Sequence, residues 1–296
     1  MRVTNSMAMR STLRDLETSF SRLASNQDRV SSGKAFSRMS DDPNRAADAL
    51  SLRQQLRRHD RLERTSHDTA ARLQTADTAL FSSLDVLTRV KELTVQASNS
   101  GSSTPTTRSA LAAELGGLRN ELIALANSEH LGRSVFNGTA AGAAYDPTTG
   151  VYEGNAANFE RTVADGVSVT ANLTGEQVYG AQSDPAGDLF AVLDRLQVAV
   201  ANGDEAGVAT EHVNFDLAAQ RVSSAAAEIG RRASHVESVR SRSDIARNEL
   251  TDRLSRVEDV DLAEALLEMQ ASENAYTATL QAASRVLPPS LVDYLR

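Results

Sequence analysis

Between Ala206 and Val257 the large apolar residues recur every seven positions, and small apolar residues fill most of the alternate positions. The large residues are Val208, Phe215, Val222, Ile229, Val236, Leu250 and Val257, with a single interruption at Ser243. This 3-4 spacing is typical of a helix whose apolar seam packs against other helices. A helix of this length spans roughly 75–80 Å, whereas a compact globule of this chain length has a diameter of about 50 Å. The pattern therefore predicts an elongated helical molecule.

Both ends of the chain repeat the same rhythm, which predicts one amphipathic helix over residues 6–31 and another from Asp259-Val260-Asp261 to Pro288. Their apolar positions form a predicted assembly seam: Leu13, Leu16, Phe20, Leu23, Val30, Leu262, Leu266, Met269, Tyr276, Leu280 and Leu287. Two such helices cover only one stripe of each other. We therefore expect neighbouring subunits to cover the apolar surface that remains.

Local signals place the other helix ends. Asp42 and Pro43 are suited to capping a second helix that continues to about Asn99, and Gly33 is suited to ending the first one. The seam of the second helix is weak in its first half, where it meets His59, Glu63 and Ser66. Thr104-Pro105 marks the start of a third helix. Asp184-Pro185 marks the return to helix after a non-helical stretch, and Asn202-Gly203-Asp204 marks a break before the long helix.

Residues 132–184 lose the helical period and are rich in Gly, Asn and Thr. We predict short strands at Gly150–Gly154, Phe159–Val163 and Val167–Ala171, with a hairpin turn at Asp165-Gly166. The predicted fold is mainly α, an elongated antiparallel helical coiled-coil rod built from both chain termini, with a small inserted β-rich module. The predicted domains are a terminal coiled coil (1–40 and 260–296), a helical rod (41–131 and 185–259) and the insert (132–184).

Composition and charge argue against several classes of partner and of chemistry. The net charge of −8 argues against nucleic acid as the main partner, and the absence of cysteine excludes disulfides and thiol chemistry. Residues 1–14 have no continuous apolar core, and no apolar run reaches membrane-spanning length, so we expect neither a cleaved signal peptide nor membrane insertion. We also expect no cofactor.

No residue pattern indicates catalysis or a metal site. Ser31-Ser32-Gly33-Lys34 superficially resembles a phosphate-binding loop, but Asp28 and Ala35 stand where Gly and Ser or Thr are needed. The five histidines are scattered, and no pair has metal-ligand spacing: His59, His67, His130, His212 and His235. The densest basic run is better explained by salt bridges at a subunit contact than by nucleic-acid binding: Arg53, Arg57, Arg58, Arg61 and Arg64. Two triplets, at Asn137 and Asn172, match the glycosylation pattern, which is common by chance.

A family resemblance rests on two adjoining motifs. Val30-Ser31-Ser32-Gly33-Lys34 followed by Ser40-Asp41-Asp42-Pro43 resembles the N-terminal signature of bacterial flagellins and their relatives. Four further segments resemble the hook-associated branch of this superfamily: Met1–Asn5, Thr162–Gly166, Asp259–Ala265 and Ser290–Arg296. The resemblance extends from one end of the chain to the other.

The resemblance implies a structural, non-enzymatic part of the flagellum that joins the hook to the filament. It implies a ring of identical subunits whose partners are the hook-associated protein FlgK and flagellin. It also implies type III export, with the chaperone FlgN holding the C-terminal helix in the cytoplasm before secretion. Three alternatives remain: a flagellin that builds the whole filament, a cytosolic coiled-coil scaffold, and, with the least support, an enzyme.

Overall fold

The computed structural model describes residues 5–99, 104–184 and 186–286, and most of them are helical. The helices are α1 (Asn5–Ser32), α2 (Pro43–Ser98), α3 (Pro105–Ala126), α4 (Gly175–Tyr179), α5 (Leu189–Asn202), α6 (Glu205–Glu258) and α7 (Leu262–Val286). The strands are β1 (Glu129–His130), β2 (Arg133–Ser134), β3 (Glu160–Ala164) and β4 (Val167–Thr170). This confirms the predicted mainly α fold, and α6 matches the predicted long helix to within one residue at each end.

Most helix ends follow the local signals in the sequence. The carboxylate of Asp42 accepts the backbone N–H of Arg45 at the start of α2, and the hydroxyl of Thr104 accepts that of Thr107 at the start of α3. Gly203 ends α5 in the left-handed conformation, with φ +69°. These side chains and this glycine satisfy groups that a helix end leaves without partners.

The prediction that Asp184-Pro185 begins the next helix is wrong. Helix α5 begins at Leu189, and Asp188 caps it by accepting the N–H groups of Phe190 and Ala191. The carbonyl of Asp184 instead accepts N–H groups from the two residues that precede the helix, Gly187 and Asp188. Pro185 lies outside the described residues.

The described chain divides into two compact units. The terminal unit comprises residues up to Arg58 together with those from Ala246 onward, and the central unit comprises His59–Ile245. Helices α2 and α6 contribute to both. Every buried Leu, Ile, Val, Phe and Tyr of the described chain lies in the central unit, between Leu73 and Val239.

The central core joins α2, α3, α5 and α6 with an aromatic cluster beneath the insert. The ring of Tyr145 lies 4.9 Å from that of Phe190 and 5.7 Å from that of Tyr179, in edge-on arrangements. The Tyr179 hydroxyl lies 3.2 Å from that of Ser83 on α2, so this fully buried polar group has a partner. The cluster fixes the insert to the helices because each ring comes from a different segment.

The insert contains two antiparallel hairpins, β1–β2 and β3–β4. The predicted strands at residues 159–163 and 167–171 correspond to β3 and β4, joined at Asp165-Gly166. The strand predicted at 150–154 is wrong, since Tyr152 makes only an isolated bridge with Tyr145. Sequence analysis missed α4 and the β1–β2 hairpin, whose turn residues Leu131 and Gly132 both have positive φ, as a two-residue hairpin turn requires.

Candidate assembly interface

The helices at the two ends of the chain, α1 and α7, lie side by side and run antiparallel. Ser19 pairs with Thr279, and the amide of Asn26 donates to the Ser272 hydroxyl over 3.2 Å. One turn further along, Arg29 and Glu268 form an ion pair of 2.6 Å. Partner numbers fall along α7 as they rise along α1, as an antiparallel pair requires. The predicted pairing of the terminal helices is therefore confirmed.

The predicted assembly seam is only partly covered by this pairing. Phe20 and Tyr276 contact each other with ring centroids 5.8 Å apart. Five half-covered positions are Leu16, Leu23, Val30, Met269 and Tyr276. Five others remain 40–57% exposed: Leu13, Phe20, Leu262, Leu266 and Leu280. Leu287 lies outside the described residues.

The buried apolar side chains in the described part of the terminal unit are all small. Among its described residues, the buried hydrophobic ones are four alanines: Ala46, Ala49, Ala265 and Ala283. Between α1 and α7 lies a groove of about 480 Å³ whose lining is mostly Ser, Asn and Ala. Because burial of large apolar side chains is the main source of stability, these alanines contribute less to stability than the large buried residues of the central unit do.

The family-signature loop that follows α1 is tied to the α6–α7 junction by backbone hydrogen bonds. The N–H of Ala35 donates to the Glu258 carbonyl over 2.7 Å, and the N–H of Val260 donates to the Gly33 carbonyl over 3.0 Å. Gly33 has φ +69°, a conformation that other residues adopt only at a cost. The signature glycine thus turns the chain so that the next residues pair with the other end of the protein.

Charged side chains reinforce this tie. Glu258 has a side chain only 6% exposed, and its two carboxylate oxygens each lie 2.8 Å from a nitrogen of the Arg53 guanidinium. Lys34 lies 2.6 Å from Asp259 and 3.6 Å from Glu258. The hydrogen bond to Asp259 raises the pKa of Lys34, and the same bond, with one from Ser255, lowers the pKa of Asp259. These four residues, Lys34, Arg53, Glu258 and Asp259, are here called the latch.

The rest of the signature shapes the loop between α1 and α2. The Ser32 hydroxyl accepts the N–H of Lys34, while the Asp41 carboxylate accepts that of Arg38 over 2.9 Å. Ser31 is exposed, Ser40 lies 3.5 Å from the Asp41 carboxylate, and Pro43 is the first residue of α2 behind its Asp42 cap. The signature residues therefore hold the loop between α1 and α2 in a defined conformation. Sequence analysis flagged Lys34 and Arg53 for other reasons and missed Glu258, because its partners are distant in sequence.

The remaining candidate residues have structural contacts. Asn137 and Asn172 are buried, and their amide groups bond to backbone carbonyls of the insert, so both glycosylation triplets serve the fold. His212 lies 3.8 Å from Asp216, and His59 lies 3.4 Å from Ser243. Within the described ranges, no group of three potential ligands could hold a metal ion. No helix in those ranges combines the length and hydrophobicity needed to cross a membrane.

Comparison with known proteins finds similarity to proteins of the bacterial flagellum. Residues 3–141 match the family described as the bacterial flagellin N-terminal helical region. Flagellin from Bacillus subtilis is 26% identical and aligns over 90% of each chain. Flagellar hook-associated protein 3 from Escherichia coli is 25% identical over 94% of this chain and 96% of its own. Over most of its length the chain is therefore similar to flagellins and to flagellar hook-associated protein 3.

Solved structures that share the fold of this chain include flagellar hook-associated proteins. A flagellar hook-associated protein from Vibrio parahaemolyticus superposes with a TM-score of 0.68, at 22% identity, over 74% of this chain and all of its own. FlgL from Bacillus cereus superposes with a TM-score of 0.60, also at 22% identity, over 69% of this chain and 99% of its own. At these identities the likeness establishes the fold.

Proposed function

We propose that this chain is a structural subunit of the bacterial flagellum, located at the junction between hook and filament. The observation that carries the proposal is the terminal unit, in whose described part the buried apolar residues are alanines while the larger apolar residues remain accessible. Half-exposed side chains of Leu or Phe size would each contribute about 1 kcal/mol on being covered. Surrounding copies of the same unit would supply that cover.

The proposed assembly is a homo-oligomeric ring in which α1 and α7 of each subunit lie against those of its neighbours. On its hook side the ring would contact the hook-associated protein FlgK, and on the other side the first flagellin subunits. Secretion through the flagellar type III apparatus, with the chaperone FlgN covering α7 beforehand, would protect the same apolar seam in the cytoplasm. This role requires neither enzymatic activity, nor nucleic acid, nor insertion into a membrane.

A second candidate is a flagellin that forms the filament along its whole length. The 26% identity to Bacillus subtilis flagellin over 90% of both chains favours it. The fold favours the junction, since the solved structures that resemble it at TM-scores of 0.60–0.68 are hook-associated proteins.

Localisation on isolated flagella separates the two candidates. An antibody against the exposed turn at Asp165-Gly166 should label one narrow band where the hook ends. Deleting the gene should leave hooks without filaments while a separate flagellin accumulates in the medium. Label along the whole filament, or normal filaments in the deletion strain, would contradict the junction role.

Seam variants test whether assembly depends on the terminal unit. We expect the double variant Leu13→Gln, Leu266→Gln to be secreted but to fail to restore filaments, because both side chains are about half exposed in the free subunit. Glutamine is a good helix former, so the helices should persist. The matched control is Val151→Gln, which changes a 46% exposed residue of the insert and should restore filaments. Normal filaments with the seam variant would argue against this interface.

A further inference from the structure

The central unit has a small pocket between α2 and the two hairpins of the insert. Its volume is about 180 Å³, room for about six water molecules. The ionisable residues in its lining are Asp68, Arg72, His130, Arg133 and Arg161. With a neutral histidine, these carry three positive charges against one negative charge. Such a local excess is notable in a chain whose net charge is −8.

Arg72 is the innermost of these cations. It is only 8% exposed, donates one hydrogen bond of 2.8 Å to the Ser134 carbonyl, and lies 5.2 Å from the ring centre of Phe159. Its buried Nε has no hydrogen-bond partner among the described residues. Burial, together with the positive charges of Arg133 and Arg161, lowers the pKa of Arg72. The charge of this guanidinium is therefore incompletely compensated.

The pocket's own carboxylate offsets the cluster only in part: the charge of Asp68 acts to raise the pKa of Arg72, but burial and the two other arginines outweigh it. Asp68 lies 3.4 Å from Nε2 of His130, and its side chain is substantially exposed. Arg161 lies 5.6 Å from the Phe159 ring centre, so two guanidinium groups contact the same ring. No ion pair within 4.0 Å joins a carboxylate of the described ranges to any of the three arginines.

We propose that this pocket is an oxyanion-binding site that receives a carboxylate or phosphate group. Guanidinium groups bind both kinds of oxyanion through paired, charge-assisted hydrogen bonds. A bound oxyanion would reduce the repulsion among the three arginines. This site lies wholly in the central unit, so the inference is independent of the proposed flagellar role.

The test is the thermal midpoint of the central unit in the full chain, titrated with sodium phosphate while sodium chloride keeps the ionic strength constant. A ligand that binds only the folded state raises the midpoint in a saturable way. In the double variant Arg133→Gln, Arg161→Gln we expect the apparent Kd for phosphate to weaken about tenfold or more. Arg133→Gln alone changes an exposed residue next to the β1–β2 turn. Its apparent Kd for phosphate should weaken by a smaller factor, and this single variant tests the proposal if the double variant misfolds.

Arg64→Gln is the matched control, since it removes an exposed arginine two turns before Arg72 on α2 but outside the pocket, and its Kd should match that of the unmodified chain. A parallel acetate titration identifies the source. Stronger binding of phosphate indicates a free phosphate-class ligand, and comparable binding of acetate indicates a carboxylate side chain. The proposal is overturned if neither anion raises the midpoint beyond chloride, or if the pocket variants respond as fully as Arg64→Gln.

Discussion

Replacing Glu258 with glutamine should release the latch while leaving the central unit unchanged. In the native chain this nearly buried carboxylate accepts one hydrogen bond of 2.8 Å from Nη2 of Arg53, has its other oxygen 2.8 Å from Nε of the same guanidinium, and lies near Lys34. Glutamine has nearly the same shape, but it carries no charge and turns an N–H donor toward a guanidinium that only donates. The backbone bond from Ala35 to the carbonyl of residue 258 can remain, so the change is confined to the side chain.

The magnitude follows from the burial of the three partners. Breaking a fully buried ion pair costs about 3–5 kcal/mol, but Arg53 and Lys34 are about half exposed and water would solvate part of their charge. Hydrogen bonds to charged groups contribute about 1.5–3 kcal/mol, and we expect the free energy of opening the terminal unit to fall by about that amount. This corresponds to roughly a ten- to hundredfold increase in its opened population.

Amide hydrogen exchange measured by mass spectrometry reports this population for each unit separately. Peptides from α1 and α7 should exchange roughly ten to a hundred times faster in Glu258→Gln, while peptides from α3 and α5 keep their rates. The control is Glu249→Gln, which removes an exposed carboxylate paired with Arg253 on the same helix and should change exchange by about twofold or less. Equal acceleration in both variants, or in both units, would refute the assignment of Glu258 to the latch.

Three further predictions concern the signature glycine, the α5 cap and the latch aspartate. Gly33→Ala should weaken protection of the terminal unit by about 1 kcal/mol in the same exchange measurement, because its φ of +69° strains any side chain. Asp188→Ala should lower the free energy of unfolding of the central unit by about 1 kcal/mol in urea titrations, through loss of the α5 cap, and Asp184→Ala should cost less. The lowered pKa of Asp259 stabilises the terminal unit above the ordinary carboxyl range near pH 4, and this contribution disappears as the pH falls through the lowered value. Exchange followed from pH 6 to pH 2 should therefore show an acid-dependent loss of protection that Asp259→Asn lacks.

Local chemistry explains which features the sequence could predict. Asp42 and Gly203 make hydrogen bonds to backbone groups only a few residues away, so the local sequence was enough to predict their capping roles. At the start of α5 the same reasoning failed, because Asp184-Pro185 and Asp188 both satisfy the capping rule within five positions. Only packing of the aromatic cluster around Phe190 selects the second one. The two-residue strands of the β1–β2 hairpin are too short to produce a period.

Long-range pairing explains what was missed in the candidate interface. The carboxylate of Glu258 is buried beside the guanidinium of Arg53, which lies 205 positions away in the sequence. No local sequence pattern predicts a partner at that distance. The apolar repeat has a related ambiguity. The same heptad spacing marks Leu73 and Leu80, which are completely buried, and Leu13 and Leu266, which remain half exposed. Heptad periodicity identifies an apolar stripe that favours burial, but it does not indicate whether the residues that bury it belong to the same chain.

The two units differ in the size of the apolar residues at their buried positions. In the central unit large side chains meet one another, so folding alone buries the stripe. In the described part of the terminal unit the buried apolar residues are alanines, and the larger apolar residues of the seam are half-buried or exposed. If a second molecule covers the seam, as proposed above, the stability of this unit should rise with the concentration of that molecule, whereas the stability of the central unit should not.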